Sequence, residues 1–512
     1  MNKRKQRSLA AVLSGVVMAL AMPPLQLGFL AWFGLIPLLL ALEKSESWKE
    51  GYLLGLIQGT VFSVGTIYWI AFNSGTNVFV ATASMLATAM LLGLTFGVFT
   101  LIHRRFLKSF GRSAHFLAPF VWVAWEAAWH HTEFAFPWAL LALTQSNYLS
   151  MIQLASVGGT ATISMWVAAV NGILTAGRDR RITGLVAIII IGSVWFGGKM
   201  RVAALENSLE SYPPLAKIAL VQGNVDAALK WELGPEYSLD SYLPQTRLIA
   251  EEQPDLILWP ETAAPVYVMQ SGRWRKYFQS FVDSLGIPLI TGGRYAEFTK
   301  EGRVPHNPAF LILPGNRGAM LRYSKMILVP MGERVPLQWI IPALGDLNFG
   351  QAEFKPGEKV EIWKLQGQYG QFAVAPNICF ESVFPAHLRR SVAEGAQVEL
   401  NLTNDGWYNY TSGPWQHLML SRIAAVETGR AVVRATNTGI SAIISPSGRI
   451  LKFLPEGVRG AAVSEIPQAV DTTFNAWGWR IGDVIHVLVL VMGLYLAVSA
   501  RIAAWRSRNG DA

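Results

Sequence analysis

Two things are scarce in this sequence: sulfur that could cross-link it, and charge. It holds a single cysteine in 512 residues, and only 15% of its residues are charged, against roughly 25% in an average soluble domain. A lone thiol excludes an internal disulfide framework and any multi-cysteine metal site, so neither a metal nor another cofactor is expected. The charge deficit is local. No charged residue falls in 9–42 or in 51–102, which excludes a wholly soluble chain. The 43 Lys and Arg outnumber the 34 Asp and Glu, leaving a net charge of +9. Such an excess points to nucleic acid only when the basic side chains gather on a soluble domain. Here many of them flank the apolar runs, so the expected partner is a membrane and not nucleic acid.

Spanning a bilayer takes about 20 apolar residues in a helix. Pro23-Pro24 divides the first uncharged run, and Asn73-Ser74-Gly75-Thr76-Asn77 divides the second, giving four spans. Residues 115–129, 151–176, 182–198 and 484–500 supply four more. The expected architecture is therefore an α-helical polytopic membrane domain of eight transmembrane helices, seven in 1–200 and the eighth in 479–512. Residues 201–478 carry ordinary charge and form a separate soluble domain.

Basic residues near span ends resist translocation. They collect at Lys3, Arg4, Lys5 and Arg7, at Lys44 and Lys49, at 104–112, at 178–181 and after residue 500, whereas the alternate loops near 23–27, 73–77 and 130–149 have none. Both termini are thus expected in the cytoplasm and the soluble domain outside, with Lys199 and Arg201 as a minor counter-signal. Glu126 lies inside the fifth span, and an intramembrane carboxylate is either functional or a helix-packing hydrogen bond.

In the soluble domain, apolar β-branched runs recur at 218–222, 256–259, 288–291, 309–313, 372–376 and 398–402, with a helical pattern at 416–429. An α/β sandwich follows. Three segments carry chemistry as well as structure. In Leu258-Trp259-Pro260-Glu261, proline ends a buried strand and frees Glu261 to act as a general base. Lys325 stands as the one cation of an apolar strand over 323–328, where an ammonium needs an anion or a developing oxyanion. Cys379 ends another strand. A thiol nucleophile requires a base for its proton and a positive group for the oxyanion, and these three residue types divide that labour. Each alone has a plainer reading: a turn residue, a salt bridge, a small buried hydrophobe.

Trp259-Pro260-Glu261, Lys325 in Ser-Lys-x-x-Leu-Val-Pro-x-Gly-Glu, and Cys379 in Ile-Cys-Phe-Glu together resemble the Glu-Lys-Cys triad of the nitrilase (carbon-nitrogen hydrolase) superfamily. Eight spans around such a domain resemble the bacterial apolipoprotein N-acyltransferase family. The resemblance implies a nitrilase-like α/β sandwich facing the periplasm from the inner membrane. It also implies a ping-pong reaction in which a glycerophospholipid acylates Cys379 and the thioester then acylates the α-amine of a lipoprotein's diacylglyceryl-cysteine. On that pattern Cys379 is the nucleophile, Glu261 the base and Lys325 the oxyanion-stabilising group. Trp231, Asn307, Glu333 and Glu381 match supporting or substrate-binding positions. The sequence departs at Phe380, where a tyrosine is expected, and at Met331 and Arg334. The alternative is a membrane-tethered amidase of the same superfamily. Residues 337–349, with Trp339, Ile340, Ile341 and Leu347, are apolar for a loop and suggest a lid that dips into lipid.

Overall fold

The computed structural model describes residues 2–300, 302–316, 318, 320–338, 340–341 and 353–508, with backbone alone for 503–508. The chain divides into two units. One comprises residues 1–71, 82–200 and 477–512, the other 72–81 and 201–476.

The first unit is helical. All eight apolar runs form helix: Lys3–Leu20, Gly28–Glu43, Trp48–Ile67, Val78–Phe110, Ala118–His130, Ala155–Ala176, Arg180–Glu210 and Ile481–Arg508. Five stretches among the described residues are long and apolar enough to cross a membrane, judged by length and composition. One of them, Val78–His130, holds two of the helices, joined by a 3₁₀ turn at Gly111–Leu117. Lys3–Leu20 falls outside that set because its first turns are basic, and Gly28–Glu43 because it is short. The helix of the seventh run continues beyond residue 198, so Lys199 and Arg201 lie within it. Glu126 accepts the Trp122 indole N–H at 2.8 Å and the Leu141 amide at 2.9 Å. Those bonds satisfy a carboxylate that would otherwise be costly among apolar helices, which is the packing role.

Among the described residues the second unit is built on fourteen strands. In chain order they are β1 (Ala216–Gln222), β2 (Leu256–Leu258), β3 (Leu289–Gly292), β4 (Tyr295–Thr299), β5 (Gly302–His306), β6 (Pro308–Ile312) and β7 (Leu321–Ser324). The second half contributes β8 (Trp363–Gly367), β9 (Gly370–Ile378), β10 (Val398–Thr403), β11 (Ala431–Thr436), β12 (Ser441–Ile444), β13 (Ile450–Leu454) and β14 (Gly460–Ile466). Two six-stranded sheets result, in the orders β14-β1-β2-β3-β6-β7 and β13-β12-β11-β10-β9-β8, while β4 and β5 pair as a separate hairpin. Each sheet has three parallel central strands with antiparallel edges.

Strand alternation sorts the core into layers. Ile218, Leu220, Leu256, Leu258 and Leu311 of the first sheet share one core with Val374, Ile378, Leu400, Leu402 and Val433 of the second. The alternate residues Ala219, Val221, Ile257, Leu289 and Phe310 pack under the helices Pro235–Ala250 and Gly272–Leu285, through Leu239, Tyr242, Phe278 and Val282. Helix Ser412–Thr428, buried along its length and closed by Gly429 in the left-handed conformation, packs on β11 of the other sheet. The strand expected over 323–328 stops at Ser324. Lys325 lies just beyond it, because the backbone N–H groups of Met326 and Ile327 go to a carboxylate instead of to a strand partner.

Candidate active site

Glu261 stands where the parallel strand β2 ends. Trp259 anchors this turn from the helix side: its indole N–H donates to Thr246 Oγ1 at 2.8 Å, and its ring stacks on Tyr242 with centroids 5.0 Å apart. Pro260 then removes a ladder donor, and the chain leaves the sheet with Thr262 at φ 52°. The turn packs so closely on β3 that a Cβ at Gly292 would lie 2.7 Å from Glu261 Cα and 2.3 Å from Thr262 N. Only glycine fits there. The result is a Glu261 side chain 9% exposed at the strand-end rim.

Cys379 occupies the corresponding place after β9, as the first residue of the 3₁₀ turn Cys379–Val383. Its φ is 52°, a left-handed conformation that costs a non-glycine residue energy and must be held by its neighbours. Glu381 Oε2 accepts the Ile378 N–H at 2.7 Å. The Cys379 carbonyl accepts from Ser382 Oγ at 2.9 Å and from Asn401 Nδ2 at 3.3 Å. Glu381 Oε1, on the same carboxylate, accepts the Tyr323 hydroxyl at 2.7 Å, the Met326 N–H at 2.6 Å and the Ile327 N–H at 3.1 Å. Glu381 therefore fastens the cysteine turn to the segment that carries Lys325.

Lys325 is 1% exposed. Its ammonium donates to Glu333 at 2.9 Å and lies 3.8 Å from Glu261 Oε1. Asn307 bridges the two carboxylates, donating from Nδ2 to Glu261 Oε1 at 2.7 Å and to Glu333 Oε1 at 3.2 Å. Val329 N–H holds Glu333 Oε2 at 2.9 Å. These bonds fix the amide orientation of Asn307 and leave its Oδ1 buried without a partner among the described residues.

The electrostatics of the group suit proton transfer. Burial pushes the Cys379 thiol up to about 12, with the Glu261 carboxylate adding to that effect and the Lys325 ammonium opposing it. Burial also raises Glu261 above its ordinary range, although Lys325 pulls it down. Burial works against the Lys325 charge, but Glu333 and Glu261 outweigh it and hold the ammonium above the usual lysine range. A protonated thiol thus shares a field with a carboxylate made more basic and a fixed cation. That set can deprotonate sulfur during attack and stabilise an oxyanion.

Other supporting residues went unseen in the sequence. Asp405 lies 2.5 Å from Arg434 Nη2 and 2.9 Å from His417 Nδ1, and His417 Nε2 lies 3.1 Å from Ser382 Oγ, which in turn holds the Cys379 carbonyl. Arg434 Nη1 also donates to Asn401 Oδ1 at 2.6 Å. The signal available was weak: polar residues at alternate positions of buried strands, Asn401 and Thr403 in β10 and Arg434 in β11. Trp231 lies on the short helix Leu229–Glu232 and is 48% exposed. Phe380 is buried edge-on against Phe384, with centroids 4.9 Å apart. Ile340 and Ile341 are exposed, while Trp339 and 342–349, with Leu347, lie outside the described residues.

A two-sheet sandwich with a glutamate, a lysine and a cysteine at its strand ends belongs to the carbon-nitrogen hydrolase class, and the model of that family matches residues 217–473. The model of the apolipoprotein N-acyltransferase N-terminal domain matches residues 14–173. An apolipoprotein N-acyltransferase from Geobacter metallireducens is 32% identical over 470 residues, covering 87% of each chain. Another from Chlorobaculum tepidum is 29% identical over 493 residues, covering 90% of this chain and 91% of its own. A solved amidase from Nesterenkonia sp. aligns with 51% of this chain and 93% of its own, at 22% identity and a TM-score of 0.37. The chain belongs to the apolipoprotein N-acyltransferase family, and it is an acyltransferase.

Proposed function

We propose that the protein moves an acyl chain from a glycerophospholipid to the α-amine of a lipoprotein's diacylglyceryl-cysteine, through a thioester on Cys379. The observation that carries this reading is the convergence of Glu261, Lys325 and Cys379 at one rim of the sandwich, with charges that act on each other. In the first half-reaction the Cys379 proton passes to Glu261 while sulfur attacks the ester carbonyl. Lys325 stabilises the oxyanion, in a role whose removal typically costs about 3 to 4 kcal/mol. Collapse expels the lysophospholipid alkoxide, which takes the proton back from Glu261. In the second, the amine attacks the thioester and gives a proton to Glu261, which returns it to the departing thiolate. Asn307 Oδ1, buried and unpartnered, is an acceptor for the arriving amine. Glu333 keeps Lys325 charged.

Residues 1–200 and 479–512 serve as the inner-membrane domain of eight spans, and 201–478 as the periplasmic catalytic domain. The charge asymmetry of the loops supports that orientation. So does the segment 72–81, whose loop 73–77 the same asymmetry puts on the outer side. It is part of the second unit, where the Ser74 N–H donates to the Trp407 carbonyl at 2.9 Å.

The test uses purified protein and acyl-labelled phospholipid. Label trapped on Cys379 and discharged by a lipopeptide amine is the expected result, and Cys379→Ala abolishes trapping. Discharge by water at the same rate with or without the amine identifies the amidase alternative instead, and absence of trapped label removes the reading.

A further inference from the structure

Beside the base lies a group of cations that no described carboxylate neutralises. Lys230 is 4% exposed, yet its ammonium has one long hydrogen bond, 3.5 Å to the Thr262 carbonyl, and no ion pair among the described residues. Burying an ammonium without an anion is expensive. Accordingly, burial pushes Lys230 down to about 8, with the charge of Glu261 working to raise it. Arg294 follows Gly292-Gly293, the segment packed on the Glu261 turn, and its backbone N–H is fixed to the Val266 carbonyl at 2.9 Å. Its guanidinium stands 4.7 Å from the Tyr267 ring centroid and 5.5 Å from that of Trp231, and it too lacks an ion pair among the described residues. Lys230 Nζ lies 5.3 Å from the same Trp231 centroid. Arg303 completes the group, 4.8 Å from the Tyr267 centroid. Aromatic faces hold cations in place without neutralising them.

We propose that Lys230 and Arg294, gathered around Trp231, bind the phosphodiester of the acyl donor. This rests on the phospholipid reading above. The chemistry matches on three counts. A phosphodiester keeps one negative charge at all ordinary pH values, which two desolvated cations would offset. A guanidinium pairs with two phosphate oxygens at once, while an ammonium acts as a point charge. In a glycerophospholipid only two or three glycerol carbons separate the phosphate oxygen from an ester oxygen, and Lys230 contacts Thr262, the residue next to Glu261. A donor bound by its phosphate would therefore present its ester to the rim where Cys379 and Lys325 stand. Recognition of the phosphate itself predicts that phosphatidylethanolamine and phosphatidylglycerol both load the enzyme.

The test measures thioester formation on Cys379 of the full chain in detergent, with palmitoyl donors that carry a phosphate (the two phospholipids) and one that does not (p-nitrophenyl palmitate). Arg294→Gln and Lys230→Gln are expected to lower the ratio of phospholipid to p-nitrophenyl ester loading by about tenfold each, through KM, as befits loss of a charge-assisted hydrogen bond. Arg294→Lys is expected to recover part of that ratio. An unchanged ratio in both variants, or equal loss on both donors, overturns the phosphate site. Loading of wild-type protein by p-nitrophenyl palmitate but by neither phospholipid overturns the phospholipid reading beneath it, so the two failures are distinct.

Discussion

The Tyr323 hydroxyl donates to the Glu381 carboxylate at 2.7 Å, with Tyr323 1% and Glu381 0% exposed. That bond ties the end of β7, two residues before Lys325, to the turn that begins with Cys379. Tyr323→Phe removes a single donor and is expected to cost about 1 kcal/mol, leaving thioester formation within a fewfold of wild type. Glu381→Gln is a different perturbation. Its carboxylate accepts four donors, and an amide NH₂ in place of either oxygen faces at least one N–H or O–H without an acceptor. Each orphaned buried donor costs about 1–3 kcal/mol. The expected outcome is a lowered unfolding temperature together with severe loss of thioester formation, read by thermal scans and acyl-label trapping. Wild-type loading in Glu381→Gln would mean that the left-handed Cys379 conformation does not depend on this carboxylate.

The resting thiol sets the pH dependence. With Cys379 pushed up to about 12, thiolate is scarce at neutral pH, and loading depends on Glu261 being ionised. Burial raises Glu261 above its ordinary 4.5, so loading is expected to fall as pH drops through a value above 4.5 and to stay level above that limb up to about pH 9. A pre-formed thiolate would instead make the rate climb over that upper range. Glu261→Gln is expected to remove the acid limb and lower loading by about 10²–10⁴-fold, the usual worth of a positioned base. Single-turnover trapping of acyl label across pH checks both.

Beneath the turn, Asp405 neutralises Arg434, which is 0% exposed. Burial opposes the Asp405 charge, but Arg434 and His417 outweigh it and hold the carboxyl below its ordinary 3.8. A depressed carboxylate contributes stability that is fully present above its unfolded value and fades as pH falls through the folded one. Asp405→Asn leaves a buried guanidinium without its ion partner, a loss of about 3–5 kcal/mol. Thermal unfolding is expected to show that gap near neutral pH and a shrinking difference from wild type below pH 3.8. An equal gap at both extremes would assign the loss to packing.

Much of this was legible along the chain, and the reason is local chemistry. Pro260 after an apolar run marks a strand end, so Glu261 could be set at a rim, and Cys379 closing the run before it could be set likewise. The apolar runs near the N-terminus each became helix because a long uncharged stretch leaves the backbone few alternatives. The apolar neighbours of Lys325 predict a strand that runs through it. What ends β7 is Glu381, more than fifty residues away, taking the Met326 and Ile327 amides. Asp405, His417 and Ser382 stayed invisible for the same reason, since parallel pairing of β9, β10 and β11 joins segments with no periodic relation. Lys230 and Arg294 meet at the ring of Trp231, and no periodic pattern that the sequence displays links them.

Asn307 offers the sharpest discrimination between a base and a bystander. Its Nδ2 donates to both Glu261 and Glu333, and it is one of the groups that pull the raised Glu261 back toward its ordinary range. Asn307→Ala removes that donor, so Glu261 is expected to rise further and the acid limb of thioester formation to move to higher pH. Asn307→Asp replaces the donor with a third carboxylate around one ammonium, adding like-charge repulsion, and is expected to move the limb further still. The order of the three limbs, wild type lowest and Asn307→Asp highest, is the prediction, read from single-turnover loading at a series of pH values. A common limb with only the plateau lowered would show that Asn307 orients substrate without tuning the base, and would take Glu261 out of the proton-accepting role.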